Sequence, residues 1–245
     1  MPTYTFGFAA GPFTEATGFG GRARYLAEGF EAAELRRIFR DTSDMIGFFA
    51  DRAGVKYPEA TYTQVLTAQG IGQEMGGFSI MPEAYGREML TSTSVATLAA
   101  HELAHQWWGN LVTCRAWTHF WLNEGFATFM AAAYTEHREG RQAYLRAIDA
   151  ARVRYEAVRD AGRDRPLVFE SWNRPTADDR TIVYQKGAYV LHRLREQLGE
   201  RAFWAGIRSY TRAYVGQSVT SQDFQRAMQT SSGRDLSGFF ARWVY

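Results

Sequence analysis

The sequence predicts an α+β protein built from two lobes. Segments with strand character are confined to the first half of the chain, helical periodicity runs through most of the second half, and a helix bearing two histidines lies between them. With 245 residues, 46% of them apolar, the chain can form a sizeable core. We therefore predict a single domain over residues 1–245, with a sheet-containing lobe at 1–115 and a helical lobe at 116–245.

The first half of the chain holds the segments that favour strands. Alternating aromatic and β-branched residues are typical of strands, whereas apolar residues spaced three or four apart are typical of a helix. Glycine and proline mark the turns between these segments. The predicted elements are a strand at 3–10, a loop or hairpin at 14–21, a helix at 31–53, a strand at 61–68 and an irregular edge at 70–77.

The helix that carries the histidines begins the helical part of the chain. We predict it from Ser92 to Trp108, with Ser92 or Ser94 as its N-terminal cap and Gly109-Asn110 as its end. A loop marked by proline and aspartate interrupts the later helices at 166–179. The helices predicted after the histidine-bearing helix are 122–137, 142–161, 181–198, 201–215, 221–230 and 236–244.

Charge and composition indicate neither a nucleic acid nor a membrane as a partner. Lysine and arginine total 28 against 26 acidic residues, so no excess of charge requires a nucleic acid or an anionic membrane. No apolar run is long enough to cross a bilayer, and no segment resembles a signal peptide. Cys114 is the only cysteine, which excludes an internal disulfide and leaves both a cytoplasmic and a secreted location open.

The segment His101-Glu-Leu-Ala-His105 is the most informative motif of the chain. Residues four apart on a helix project from nearly the same face, so the two imidazoles can bind one ion while Glu102 reaches a water beside it. Glu124 lies 19 residues past His105, near the start of another predicted helix. Two histidines and one glutamate leave a fourth position open, as in catalytic zinc sites. The pattern therefore predicts a zinc hydrolase, the alternative being ordinary histidines and a glutamate favoured by a helix dipole.

Longer segments around this motif resemble a known family. His101–Thr113 reads HELAHQWWGNLVT and Trp121–Ala127 reads WLNEGFA, and both are similar to the aminopeptidase N family of zinc metallopeptidases, in the gluzincin group. The resemblance covers most of residues 60–200 and concerns the catalytic domain only. It implies a thermolysin-like, two-lobed catalytic domain with one Zn²⁺ per chain and a peptide as its substrate. We expect the family's flanking domains, a β-rich one before and a helical one after, to be absent.

The resemblance also implies catalytic roles for two residues. Glu102 corresponds to the family's general base. Tyr184 opens the segment Tyr-Gln-Lys-Gly-Ala, which is similar to the family segment whose tyrosine stabilises the oxyanion. By periodicity alone, Tyr184 would be a core residue at a helix start.

A third segment concerns recognition of the substrate's free amine. The family's Gly-x-Met-Glu-Asn segment aligns with Gly70-Ile-Gly-Gln-Glu-Met-Gly-Gly, which implies that Glu74 binds the α-ammonium group and that Gly76 and Gly77 belong to the same substrate-binding strand. The segment departs from the family pattern on both sides of the glutamate, where glutamine replaces methionine and methionine replaces asparagine. The alternative for Glu74 is a surface glutamate on a loop.

The motif together with the resemblance implies a zinc aminopeptidase that hydrolyses the N-terminal peptide bond with zinc-activated water. Two alternatives stay open. A zinc endopeptidase would cleave internal bonds and would give Glu74 no ammonium to bind. An incomplete, inactive zinc-binding module, left without the family's flanking domains, would bind zinc and turn over no peptide.

Overall fold

A mixed five-stranded sheet and a larger set of helices make up the fold of residues 3–68, 70–170, 172 and 174–245, which the computed structural model describes. In chain order, the strands of this sheet are β1 (Thr14–Gly18), β2 (Ala23–Ala27), β3 (Tyr62–Thr67), β4 (Gln73–Met75) and β5 (Phe78–Pro82). In space they run β1-β2-β3-β5-β4, with β2, β3 and β5 parallel and the two edge strands antiparallel to their neighbours. The α+β fold class is thereby confirmed.

Helices account for most of the remaining chain. Three of those in the first half, α1, α3 and α4, pack on the sheet. The helices of this half are α1 (Ala32–Ile38), α2 (Thr42–Ala53), α3 (Glu83–Thr91) and α4 (Thr97–Ala104). The later ones are α5 (Trp121–Glu139), α6 (Arg141–Asp160), α7 (Ala177–Thr181), α8 (Gly187–Leu198), α9 (Glu200–Ala213), α10 (Ser221–Ser232) and α11 (Ser237–Trp243).

Two short strands and one π-helical segment complete the fold. Strands β6 (Thr113–Cys114) and β7 (Ser218–Val219) pair in parallel and connect the region after α4 with the region after α9. Residues Ile182–Lys186, between α7 and α8, form a π-helical turn. Within the part of the chain that the structure describes, no helix combines the length and apolar character needed to span a membrane.

Helix α5 lies at the centre of the helical part. Of its 19 residues, 14 are buried, which is typical of a helix surrounded by protein on all sides. It packs against α4, α6 and α8. Its Phe126 and Phe129 are fully buried and contact the aromatic rings of Phe224 and Phe203 from later helices. Each such ring contributes about 1.5–3 kcal/mol through burial, so α5 is held firmly in place.

Helices α5 and α8 meet through two glycines. A Cβ placed on Gly187 would lie 2.9 Å from the Cα of Gly125, and one placed on Gly125 would lie 3.1 Å from the carbonyl oxygen of Val183. The two backbones are therefore in direct contact, which only residues without a side chain permit. This contact sets the distance between α5 and the π-helical turn that precedes α8.

Several predicted boundaries are wrong. Residues Thr3–Thr5 form a 3₁₀ turn rather than the start of a strand, and the strand of this region, β1, lies within the segment predicted as a loop or hairpin. The aromatic residues that suggested a strand, Phe6 and Phe8, are 80% and 88% exposed. Alternation alone cannot distinguish a strand from an exposed aromatic segment, because it contains no information about pairing.

The predicted helices at 31–53 and 92–108 also differ from the structure. The first is two helices, because the turn between α1 and α2 is stabilised by Thr42, whose hydroxyl donates to the carbonyl oxygen of Phe39 at 2.9 Å. The second begins only at Thr97, and its N-cap is Ala96 rather than Ser92 or Ser94. Ser92 instead ends α3, and its hydroxyl accepts a hydrogen bond from the amide of Ser94, which holds the connection extended.

Alanine substitutions at two glycines, one inside the α5–α8 contact and one outside it, should have opposite effects on stability. Gly187→Ala should lower the free energy of unfolding by about 1–3 kcal/mol, because the new methyl group overlaps the backbone of α5. Gly47→Ala, in α2, should raise it by about 0.5–1 kcal/mol, since no atom lies within 4 Å of the position that its methyl group would occupy. Urea unfolding of both variants provides the comparison. Equal stability of Gly187→Ala and the unmodified chain would contradict a tight α5–α8 contact.

Candidate metal centre and its cavity

Three side-chain atoms from α4, its C-terminal end and α5 converge on one point. The Nε2 atoms of His101 and His105 lie 3.1 Å apart, and the Glu124 Oε2 atom lies 3.1 Å from the first and 3.2 Å from the second. Donors bound to a tetrahedral metal at 2.0–2.2 Å are separated by about 3.3 Å. This set of two imidazoles and one carboxylate, predicted from the sequence, therefore has the spacing needed to hold a divalent metal ion.

The turn that follows α4 fixes the orientation of His105. Its Nδ1 atom lies 3.1 Å from the carbonyl oxygen of Trp108, so this nitrogen donates a hydrogen bond and Nε2 is the nitrogen that would bind a metal after losing its proton. Gly109 permits the turn, because its φ is +143° and a Cβ there would lie 2.9 Å from the His105 Nδ1 atom. The predicted helix end at Gly109 is wrong, because α4 ends at Ala104 with His105 as its C-cap, and Gly109 instead supports a donor ring.

The charges of the centre shift one another's pKa values. Burial opposes ionisation of Glu124, but His105 and His101 beside it hold its pKa below the usual range. Burial also opposes protonation of His105, yet the carboxylates of Glu74 and Glu124 raise its pKa to about 10. Negative charge therefore predominates, and an additional cation would stabilise the site.

Glu102 lies beside the donor set and is 3% exposed. Burial, together with the charges of Glu74 and Glu124, raises the pKa of its carboxyl to about 8, although His105 acts in the opposite direction. The backbone at Gly72 approaches it so closely that a Cβ on this glycine would collide with the Glu102 Oε1 atom. Sequence analysis missed this role of Gly72, because it depends on a contact between α4 and the segment just before β4 and not on any local sequence pattern.

Glu74 occupies the middle of the edge strand β4 and lines the same cavity. It is 3% exposed, so it is not the surface residue of the alternative interpretation. Its Oε2 atom accepts a hydrogen bond from Gln73, whereas no hydrogen bond within 3.5 Å reaches its buried Oε1 atom from the residues that the structure describes. The Tyr4 hydroxyl lies nearby, and burial together with this carboxylate raises its pKa. A buried carboxylate oxygen without a donor is costly, which makes it a binding point for a donor from outside the chain.

Gly76 and Gly77 form the turn after β4. The amide of Gly76 donates to the carbonyl oxygen of Thr5 and that of Gly77 to the side-chain oxygen of Gln106, each at 3.0 Å. Neither glycine is among the residues that line the cavity. Gln106 also donates to the carbonyl oxygen of Met75, so this side chain, which sequence analysis did not single out, connects the edge strand to the segment after His105.

Tyr184 lies in the π-helical turn and faces the donor set. Its ring is nearly parallel to that of His101, with an interplanar angle of 6° and centroids 5.9 Å apart. Burial and the nearby carboxylate of Glu124 raise the pKa of its phenol. Lys186 anchors the turn through a 2.8 Å ion pair with Asp164. Single π-helical turns inside helices often mark functional sites, and helical periodicity alone does not reveal them.

Tyr4 also lines the cavity, and sequence analysis missed it entirely. Its hydroxyl accepts a hydrogen bond of 3.0 Å from Asn123, and its ring packs edge-on against Trp117. Asn123 in turn accepts a hydrogen bond from the amide of Cys114, a half-buried residue whose thiol pKa is raised to about 12 by burial. The sequence feature that could have pointed to Tyr4 is Asn123, because a buried amide next to a metal-binding glutamate requires hydrogen-bond partners.

A cavity of about 660 Å³ borders the donor set. Its lining includes Glu74, Glu102 and Tyr184 beside the metal-binding atoms, together with residues of α5, α6 and α8. The volume is typical of sites for small ligands. The arrangement can bind a cation, move a proton through Glu102 and donate a hydrogen bond from Tyr184.

Comparison with known proteins identifies relatives of this chain. The chain is 32% identical to aminopeptidase N of Lactococcus lactis subsp. lactis over 212 residues, which are 82% of this chain and 25% of that protein. It is 33% identical to aminopeptidase M1 of Arabidopsis thaliana over 155 residues, 61% of this chain and 17% of that protein. The chain thus spans about a quarter or less of the length of these relatives.

Solved structures show the same fold. An M1 zinc metallopeptidase variant from Deinococcus radiodurans, bound to a Tyr-Ser-Ala substrate, has a TM-score of 0.71 and 25% identity, covering 91% of this chain and 48% of that one. The M1 zinc metallopeptidase from the same organism has a TM-score of 0.72. Residues 39–243 match the model of the peptidase family M1 domain, and the resemblance seen in the sequence is confirmed: the chain belongs to peptidase family M1.

Proposed function

We propose that this chain is the catalytic unit of a zinc aminopeptidase, which removes the first residue of peptides. The observation that carries this proposal is the convergence of His101, His105 and Glu124 beside Glu102 and Glu74, all but His105 of which line one cavity. The names of the relatives, aminopeptidase N and M1 zinc metallopeptidase, support both the activity and the metal. The two imidazole nitrogens and one carboxylate oxygen suit Zn²⁺, which prefers such donors.

Zn²⁺ bound by His101, His105 and Glu124 would polarise the peptide carbonyl and make water a stronger nucleophile at neutral pH. Glu102 accepts the proton of the attacking water and passes it to the leaving amine. Its carboxyl suits this exchange, because a pKa of about 8 in the metal-free chain lies close to neutral pH.

Tyr184 stabilises the negative charge that develops on the carbonyl oxygen. Its hydroxyl can donate a hydrogen bond, and the raised pKa keeps it protonated at neutral pH. The ring contact with His101 holds the phenol beside the metal-binding atoms. A donor already in position costs no reorganisation during the reaction.

Glu74 binds the α-ammonium group of the substrate and thereby limits hydrolysis to the first peptide bond. The free Oε1 atom supports this role, because an ammonium group would supply the missing donor and neutralise a buried charge. An endopeptidase would leave this carboxylate oxygen without a partner, so the aminopeptidase explains the site better. The presence of base, donor and metal-binding atoms in one cavity also favours an active unit over an inactive binding module.

Zinc binding should release protons. Since the pKa of His105 is about 10 in the metal-free chain, its imidazole is protonated at pH 7 and must lose that proton to bind a metal. We expect one Zn²⁺ per chain and at least one proton released per ion, measured by calorimetry in buffers of different ionisation enthalpy. The exposed His137 provides a control, since His137→Gln should change neither number. A binding heat independent of the buffer would contradict the protonated state of His105.

Replacement of Glu102 should separate metal binding from catalysis. Glu102→Gln is expected to keep one zinc per chain and to lower kcat by about 10²–10⁴, because the amide cannot accept the proton. Metal analysis and hydrolysis of aminoacyl reporter substrates measure the two effects. Glu59→Gln, on the loop before β3, is the matched control. A near-native rate for Glu102→Gln would assign the base to another residue.

Selection for a free N-terminus tests the proposed function most directly. The chain should hydrolyse peptides with a free amine far faster than their N-acetylated forms, and Glu74→Gln should reduce this preference by about 10–100-fold, because it removes a charged hydrogen bond. Glu83→Gln, in the first turn of α3, should preserve the preference. Cleavage of acetylated peptides at internal bonds by the unmodified chain would favour the endopeptidase instead.

A further inference from the structure

The cavity extends well beyond the metal centre, between three helices that contact one another. Helix α6 lines it with Ala147, Ala151 and Arg154, whose spacing places them on one helical face. Other alanines of α5 and α8 line the opposite walls. These side chains are too short to fill the space between the helices, which leaves room for part of a bound molecule.

Arg154 is the only lysine or arginine among the residues that line this cavity in the described part of the chain. Its neighbours on α6 are neutralised: Arg152 pairs with Asp149 and Glu156, and Arg159 pairs with Glu156. No ion pair or hydrogen bond connects the Arg154 side chain to any described residue. The Arg154 side chain is exposed to solvent and borders a ligand-sized cavity, so its guanidinium group is available to an anion bound there.

Two walls of the cavity therefore carry opposite charge. Glu74, Glu102 and Glu124 make the metal-binding wall acidic, and Arg154 makes the α6 wall basic. A short peptide has the complementary distribution, with an ammonium group at one end and a carboxylate at the other. Guanidinium groups bind carboxylates with two parallel hydrogen bonds, which fixes the orientation of the bound group.

We propose that Arg154 binds a carboxylate of the substrate, so that the chain prefers short peptides with a carboxylate beyond the cleaved bond. This inference rests on the proposed function, because the ammonium end of the same peptide must lie at Glu74. The carboxylate belongs either to the C-terminus of a short peptide or to an acidic side chain. Both sources offer the same chemistry to the guanidinium.

Matched peptides distinguish the two sources. One pair consists of a tripeptide and its C-terminal amide, and the other of two tripeptide amides that differ only in Glu or Gln after the cleaved bond. The unmodified chain should show a lower KM for the acidic member of at least one pair, by about 3- to 20-fold, the range expected for a charged contact that is partly open to solvent. In Arg154→Gln this ratio should fall to about one, with the change in KM rather than in kcat.

Arg146→Gln is the matched control. Arg146 lies on the same helix and carries the same charge, but it lines a separate surface depression outside the cavity. This variant should keep the acid-to-amide ratio of the unmodified chain. An equal fall in both variants would indicate a general effect of charge and would overturn the proposal, as would a ratio of one in the unmodified chain or a ratio that Arg154→Gln leaves unchanged.

Binding to the zinc-loaded Glu102→Gln protein separates this inference from the proposed function. Calorimetry with the same peptide pairs measures dissociation constants without turnover, and the acid-to-amide ratio should again depend on Arg154. If the unmodified chain hydrolysed none of the peptides while this dependence persisted, the proposed aminopeptidase activity would fail and the carboxylate site would stand. If hydrolysis occurred without any dependence on Arg154, the carboxylate site would fail alone.

Discussion

The burial of α5 is the constraint on which the rest of the site depends. This helix contributes Glu124, and its packing partners contribute the remaining parts: α4 bears His101, the turn before α8 bears Tyr184, and α6 closes the cavity. A displacement of α5 would therefore separate the metal-binding atoms, the phenol and the cavity wall at once. The aromatic contacts around α5 and the backbone contact at Gly125 provide the rigidity that a site built from several elements requires.

The stability of the surrounding core allows an unfavourable concentration of charge. Three glutamates and two imidazoles share a region in which burial favours neutral groups, and the pKa shifts of Glu102 and His105 measure the resulting conflict. Such an arrangement contributes little to folding by itself, because the desolvation of each charge offsets the attraction between charges. Its value lies in chemistry, since a bound cation and a substrate ammonium group would each relieve part of the repulsion.

Local sequence patterns predicted the features that depend only on residues close together in the chain. The i, i+4 spacing of His101 and His105 and the division into strand-bearing and helical halves are of this kind. The role of Tyr184 was predicted only from the family resemblance, because the apolar periodicity around it is that of a core residue. The roles of Tyr4 and Gly72 could not be predicted, since each depends on a contact between residues far apart in the chain. The helix start predicted at Ser92 is wrong for a different, local reason: the hydrogen bond from the Ser94 amide to the Ser92 hydroxyl holds this connection extended, and helical periodicity does not reveal it.

The hydrogen bond between Asn123 and the amide of Cys114 gives the protein a built-in reporter. A thiol with a pKa of about 12 is almost entirely protonated at neutral pH and reacts slowly with alkylating reagents. Opening of the segment between α4 and α5 would expose the thiol and lower its pKa toward the ordinary value. The alkylation rate of the single cysteine therefore reports on local opening of this segment without an added probe.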